Sequence, residues 1–269
     1  MPSFLALLAF LTAAGVQTDH VRIPTSAGVT LDAVLVRPAT RSNLPAVVAL
    51  HGCGGPYASR DGTWAIELAA RGHIVLLPDS FGSRGLGSQC RVRQRVISPT
   101  RERRDDAIAA ALWLAAQPGV PPGGIALVGW SNGGSTVLAT ARLGDDPPLG
   151  LPADLPRGLF SRFVAFYPGC NSTARTMTWK PAAPLLILIG AQDDWTPAEP
   201  CRLIAARFPE RVSMIAYPDA YHDFDAPDRP IRVLTGLATA AGGQAHVGTN
   251  VAARTDALAR VPAFLAAGR

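Results

Sequence analysis

Three residue types set far apart in the chain could together carry out nucleophilic chemistry. Ser131 stands at the centre of Gly129-Trp130-Ser131-Asn132-Gly133, a G-x-S-x-G pattern. The apolar run Ile125–Val128 leads into it and the Ala-rich stretch Val137–Ala141 follows. That order reads as strand, sharp turn and helix, which would lift a serine hydroxyl out of the backbone at a helix N-terminus. Glycine at 129 and 133 suits the close approach of strand and helix that such a turn imposes. A serine needs a base, and a base needs an orienting acid. Asp193 and Asp194 follow the apolar run Leu185–Ile189, and His222 follows Val212–Tyr217. Adjacent carboxylates point in different directions, so only one of the two should face the histidine. The alternative for the other is an acid at a helix start, with Thr196 as N-cap and Pro197 at the first helical position.

A fourth strand end supplies a different function. His51-Gly52-Cys53-Gly54-Gly55 follows Ala46–Leu50. Its glycines leave backbone N–H groups unshielded. An N–H of Cys53 or Gly54, with that of Asn132, would form an oxyanion hole. His51 is expected to hold this loop by hydrogen bonding rather than to move protons. Of the remaining histidines, His20 falls near the N-terminus, His73 begins an apolar run, and His246 has no evident partner in a Gly- and Ala-rich stretch.

These positions need a scaffold that brings strand ends together. Apolar runs at 29–36, 46–50, 74–77, 125–128, 163–167, 185–189 and 212–217 alternate with helical segments at 64–69, 105–116, 198–207 and 251–265. Short apolar runs without polar alternation are strands buried on both faces. Their alternation with helices predicts an α/β fold with a mostly parallel central sheet and helices on both faces. Sites in such sheets form at the carboxyl ends of strands. The 269 residues, 48% hydrophobic, suffice for one substantial core, with no repeat and no composition shift to mark a linker. We therefore expect a single domain over residues 19–269, preceded by an apolar segment 1–18. Within that segment Phe4–Leu11 has the length of a signal-peptide core, and Ala13 and Gly15 suit the small positions before a cleavage point, although no Lys or Arg precedes it. Export to the periplasm or beyond is the expectation, with a cytoplasmic protein as the alternative. The same apolar run is too short to span a bilayer.

The net charge of +5 comes almost wholly from arginine, concentrated between Arg84 and Arg104. That run lacks aromatic residues and any nucleic-acid-binding motif, so it reads as a solvated loop and helix face rather than a nucleic-acid surface.

Taken in order, Ser131, Asp193 and His222 follow the chain order of α/β-hydrolases, and the sequence resembles the dienelactone hydrolase family of that superfamily. The resemblance runs from about residue 20 and rests on His51–Gly55, Pro78-Asp79-Ser80-Phe81-Gly82, Gly129–Gly134, Gly190-Ala191-Gln192-Asp193 and Tyr221-His222-Asp223-Phe224. Its G-x-x-D pattern followed by Thr-Pro falls on Asp193, Thr196 and Pro197, which selects Asp193 over Asp194. It implies hydrolysis of a small-molecule ester or lactone through an acyl-enzyme on a Ser131–His222–Asp193 triad, with Trp130 and Trp195 near the substrate and no cofactor or metal. Peptide or polyester cleavage, or a catalytically silent binding protein, are the alternatives. One departure stands out: dienelactone hydrolases proper carry cysteine where this chain has Ser131, which puts dienelactone itself in doubt as the substrate. The four cysteines allow three pairings. Cys53 and Cys90 lie in loops after neighbouring strands, as do Cys170 and Cys201, so we expect Cys53–Cys90 and Cys170–Cys201. No C-x-x-C is present, and no zinc site is expected.

Overall fold

In a computed structural model, residues 15–40, 42–120, 124–142 and 158–267 are described. The chain runs β1 (Val16–Pro24), β2 (Thr30–Pro38), β3 (Ala46–Leu50), α1 (Thr63–Ala70), β4 (Val75–Pro78), α2 (Glu102–Ala115), β5 (Ile125–Trp130), α3 (Asn132–Thr140), β6 (Phe160–Phe166), α4 (Asn171–Arg175), β7 (Leu185–Gly190), α5 (Glu199–Arg207), β8 (Val212–Tyr217), β9 (Arg232–Thr235), β10 (Gln244–Val247) and α6 (Val251–Ala266). Eight strands form one sheet in the order β1-β2-β4-β3-β5-β6-β7-β8. The first two neighbour pairs, β1–β2 and β2–β4, are antiparallel, and every pair from β4 to β8 is parallel. The α/β architecture expected from the alternation of runs is the one observed.

Burial explains the strand composition. Every residue of β3, β5 and β7 is buried, as it must be where helices cover both faces of a parallel sheet. Such strands carry no polar alternation, which is why their runs of Val, Leu and Ile were legible. The edge strand β1 is mostly exposed and polar, and it gave no such signal. Its first residues, Val16–Thr18, pair with Val36–Pro38. The boundary expected at residue 18 therefore falls inside a strand, and the apolar segment before Gly15 lies outside the described residues.

Each parallel crossover delivers a strand end to the same rim. β3 ends just before His51, β5 just before Ser131, β7 before Asp193 and β8 before His222. The hairpin β9–β10 (Arg232–Val247) stands apart from the main sheet and docks on this rim. There Ala238 N–H donates to the Cys90 carbonyl, and His222 bridges to Val247. Among the described residues, no helix is long and apolar enough to cross a membrane.

Two disulfides tie the rim, Cys53–Cys90 and Cys170–Cys201, with sequence separations of 37 and 31. Each closes a loop whose freedom in the unfolded chain is costly to surrender. Replacing Cys170 and Cys201 together by alanine should lower stability by about 2–4 kcal/mol in urea unfolding. An unchanged midpoint would show that this crosslink contributes nothing to the fold.

Candidate active site

The turn between β5 and α3 is as tight as its glycines suggest. Ser131 has φ 54° and ψ −113°, a conformation L-residues rarely adopt. A Cβ on Gly133 would collide with the Leu50 carbonyl of β3, and one on Gly129 with the Gly133 carbonyl. The sequence thus permits β3, β5 and α3 to meet at one point and pushes the serine side chain up from it. Tyr167, at the end of β6, and Asp223, beside His222, also have positive φ. Three of the four non-glycine residues of this kind among the described residues surround one site, where backbone strain commonly marks function.

There Ser131 Oγ lies 2.9 Å from His222 Nε2, and His222 Nδ1 lies 2.8 Å from Asp193 Oδ2. All three side chains are buried. With Nδ1–H donating to the carboxylate, Nε2 is left to accept from the serine hydroxyl. Asp193 is itself fixed: its Oδ1 accepts from the N–H groups of Trp195 (2.9 Å) and Thr196 (2.8 Å), and its Oδ2 lies 3.0 Å from Thr196 Oγ1. Thr196 is therefore not the N-cap expected from the sequence. α5 begins at Glu199 after Ala198, and Thr196 serves the carboxylate instead. Asp194 points away and accepts from the backbone N–H of His246, with its Oδ2 2.8 Å from His246 Nδ1. His246, without a partner in the sequence reading, pairs with the carboxylate next to Asp193.

The imidazole is held by more than the carboxylate. The Tyr167 ring packs at 4.4 Å from it and the Trp195 ring at 4.7 Å, centroid to centroid. Burial disfavours the His222 cation, but the Asp193 charge and hydrogen bond outweigh it, so the group is held above its ordinary pKa. Below it, the segment His222–Asp225 alternates its contacts. Asp223 accepts from Arg60 Nη1 at 2.8 Å. Asp225 is buried and accepts from Trp64 Nε1 (2.7 Å), Trp130 Nε1 (2.7 Å) and Tyr167 Oη (2.6 Å). Burial pushes the Asp225 carboxyl up, and Arg60 with the Tyr167 and Trp130 donors pulls it back.

Trp130 therefore does not sit where the sequence reading put it. Its indole is fully buried, stacked on Phe166 at 5.5 Å and committed to Asp225. Trp130 is the last residue of β5, and the sharp turn that follows sends the serine up while the indole stays in the core. Trp195 is placed differently: it lines a cavity of about 470 Å³ that opens on Ser131, and its Nε1 donates to Thr239 at 3.0 Å. Cys53 and Asn132 line the same cavity, whereas Gly54 is exposed and does not. Arg95 and Arg104 line it too, so part of the arginine-rich stretch faces the site rather than bulk solvent.

His51 is buried, with Nδ1 2.8 Å from the Gly52 carbonyl and Nε2 accepting from Ser80 N–H at 3.1 Å. Burial and the nearby Arg103 hold its pKa well below the ordinary value, so it stays neutral and serves as a fixed hydrogen-bonding post. Sequence reasoning missed Arg60, Tyr167 and Asp225, and it named Thr196 without its bond to Asp193. The position of Asp225, three residues on from His222, was the signal available for one of them.

Against known proteins, the model of the dienelactone hydrolase family matches residues 31–268. A sequence comparison with curated proteins returns no significant match. Among solved structures, a candidate dienelactone hydrolase from Klebsiella pneumoniae subsp. pneumoniae superposes with TM-score 0.69 at 18% identity, over 94% of this chain and 100% of the other. A dienelactone hydrolase-like promiscuous phosphotriesterase from metagenomic libraries superposes with TM-score 0.65 at 18% identity, over 94% and 98%. An esterase from Pyrobaculum calidifontis does so with TM-score 0.62 at 19% identity, over 93% and 84%. At these identities the likeness is one of fold.

The electrostatics of His222 can be checked without a substrate. Its imidazole should titrate above ~6.5, the unperturbed histidine value, in NMR spectra of the folded protein. Asp193→Asn removes the charge that favours the cation and leaves the burial that opposes it. The titration should then fall below ~6.5. An unchanged midpoint in that variant would show that Asp193 does not govern the imidazole.

Proposed function

The chain belongs to the dienelactone hydrolase family, and from that premise we propose that it is a serine hydrolase that cleaves carboxylic esters or lactones through an acyl-enzyme. The observation that carries the reading is the unbroken relay Ser131 Oγ–His222 Nε2–His222 Nδ1–Asp193 Oδ2, at 2.9 and 2.8 Å, beside a cavity large enough for a small ester.

In this mechanism His222 takes the Ser131 proton as the serine oxygen attacks the ester carbonyl. Negative charge collects on the carbonyl oxygen, which the N–H groups of Cys53 and Asn132 stabilise. Asn132 opens α3, where an N–H has no carbonyl one turn back to bond and the helix dipole favours an anion. The tetrahedral intermediate collapses, His222 protonates the departing alcohol oxygen, and an ester to Ser131 remains. Water then gives a proton to His222 and attacks that ester. Collapse returns the proton to Ser131 and frees the acid. Asp193 holds the Nδ1–H tautomer and offsets the imidazolium charge in both steps. For a lactone the leaving alkoxide stays tethered, and the product is a hydroxy acid. Two disulfides and the apolar N-terminal segment support an oxidising compartment, the periplasm or the exterior.

Ser131→Ala should cut kcat about 10⁴–10⁶-fold on a panel of short-chain esters and lactones, with substrate binding little changed. Comparable rates in variant and wild type would remove the serine from the chemistry. Turnover of peptides in preference to every ester on the panel would reassign the substrate class.

A further inference from the structure

Arg103 was expected on a solvated helix face, and the structure buries it. It lies in the first turn of α2, about 1% exposed. Its guanidinium donates from Nη1 to Asn132 Oδ1 at 2.6 Å and from Nη2 to the His51 carbonyl at 2.8 Å. Cζ sits 5.0 Å over the Phe81 ring, and the His51 ring packs on the same Phe81 at 4.7 Å. Burial lowers the guanidinium pKa to about 10, opposed by nearby Asp106, so it is charged at neutral pH. Its two acceptors belong to different strand ends. His51 begins the loop after β3 that carries Cys53, and Asn132 follows the nucleophile after β5.

We propose that Arg103 is a positioning residue that sets the spacing between the Cys53 and Asn132 N–H groups and so preorganises the oxyanion site. The proposal rests on the serine hydrolase reading. A guanidinium is a rigid planar fork, and its two donors hold two acceptors at one separation. A lysine ammonium has the charge but not the fork. An oxyanion site acts through fixed geometry, and a small displacement of one donor costs rate rather than ground-state affinity.

The test is Arg103→Lys in the full chain, assayed on the best ester of the panel. We expect kcat to fall about 10–100-fold with KM within about twofold. Affinity for a boronic acid, which binds the serine as a tetrahedral adduct, should fall by about the same factor as kcat/KM. Rates are taken per active site titrated, so partial unfolding alone would not lower them. Asn132→Ala removes one arm of the fork from the other side and covers the case in which the lysine variant does not fold. By itself it should lower kcat and boronate affinity together, with KM within about twofold. Wild-type values in Asn132→Ala would equally overturn the proposal. In its background Arg103→Lys should cost clearly less than in wild type. Wild-type kcat and boronate affinity in Arg103→Lys, or full additivity of the two changes, would overturn the proposal while leaving the hydrolase reading intact. Ester turnover by Ser131→Ala at the wild-type rate would overturn both.

Discussion

A single buried carboxylate fixes the relation between Ser131 and His222. Asp225 accepts hydrogen bonds from Trp64 in α1, Trp130 at the end of β5 and Tyr167 at the end of β6. Trp130 adjoins Ser131, the Tyr167 ring packs on His222, and Asp225 itself is three residues from His222. The loop that carries the base is thereby tied to the strand that carries the serine at a node removed from water. Bonds of this kind are costly to break, because each released donor would be left buried and unpaired. Arg60, within the turn Ala58–Gly62, adds a second tie through Asp223 and Asp61. The 2.9 Å contact between Ser131 and His222 is the visible outcome of this hidden set of bonds.

Above the node, the rim is closed by crosslinks rather than by sheet. The Cys53–Cys90 disulfide fastens the loop after β3 to the loop that receives the β9–β10 hairpin through Ala238. Trp195 spans from His222 to Thr239 beyond that hairpin's first strand. One wall of the cavity is thus stiffened covalently where the chain has little regular structure. This suits a site whose donors must stay in place while charge develops on the substrate. Both disulfides sit at the strand-end rim, where Cys170 and Cys201 join the main core and Cys53 joins a smaller buried cluster with Trp195.

What the sequence disclosed follows from how local each signal was. Ser131 and Asp193 each came shortly after an apolar run buried on both faces, His222 came after the partly buried edge strand β8, and the order of sheet crossovers did the rest. The β9–β10 hairpin was missed because its strands are only four residues each and β9 is largely exposed. Arg60 and Arg103 were missed for a different reason: a buried arginine looks like a surface one until its partners are known. Those partners, Asp223 for one and Asn132 with His51 for the other, lie up to 163 residues away in the chain. Trp130 was misplaced because the sharp turn after it separates it in space from its sequence neighbour Ser131. Asp193 over Asp194 was a choice the residues alone left open. Its reason is now physical: the N–H groups of Trp195 and Thr196 hold one carboxylate under His222, while His246 takes the other.

The proposed reaction requires Ser131 to become covalently acylated where the dienelactone hydrolases proper, by resemblance, use a thiol. A serine in this setting depends on the neighbouring imidazole at every step, which a thiolate does not. The direct measurement is to quench wild-type protein during turnover of a slowly deacylated ester and map the adduct by peptide mass spectrometry. The acyl mass should appear on the peptide that contains Ser131, and hydroxylamine should remove it. Turnover without any adduct on that peptide, or an adduct on another residue that forms at the rate of turnover, would contradict the account.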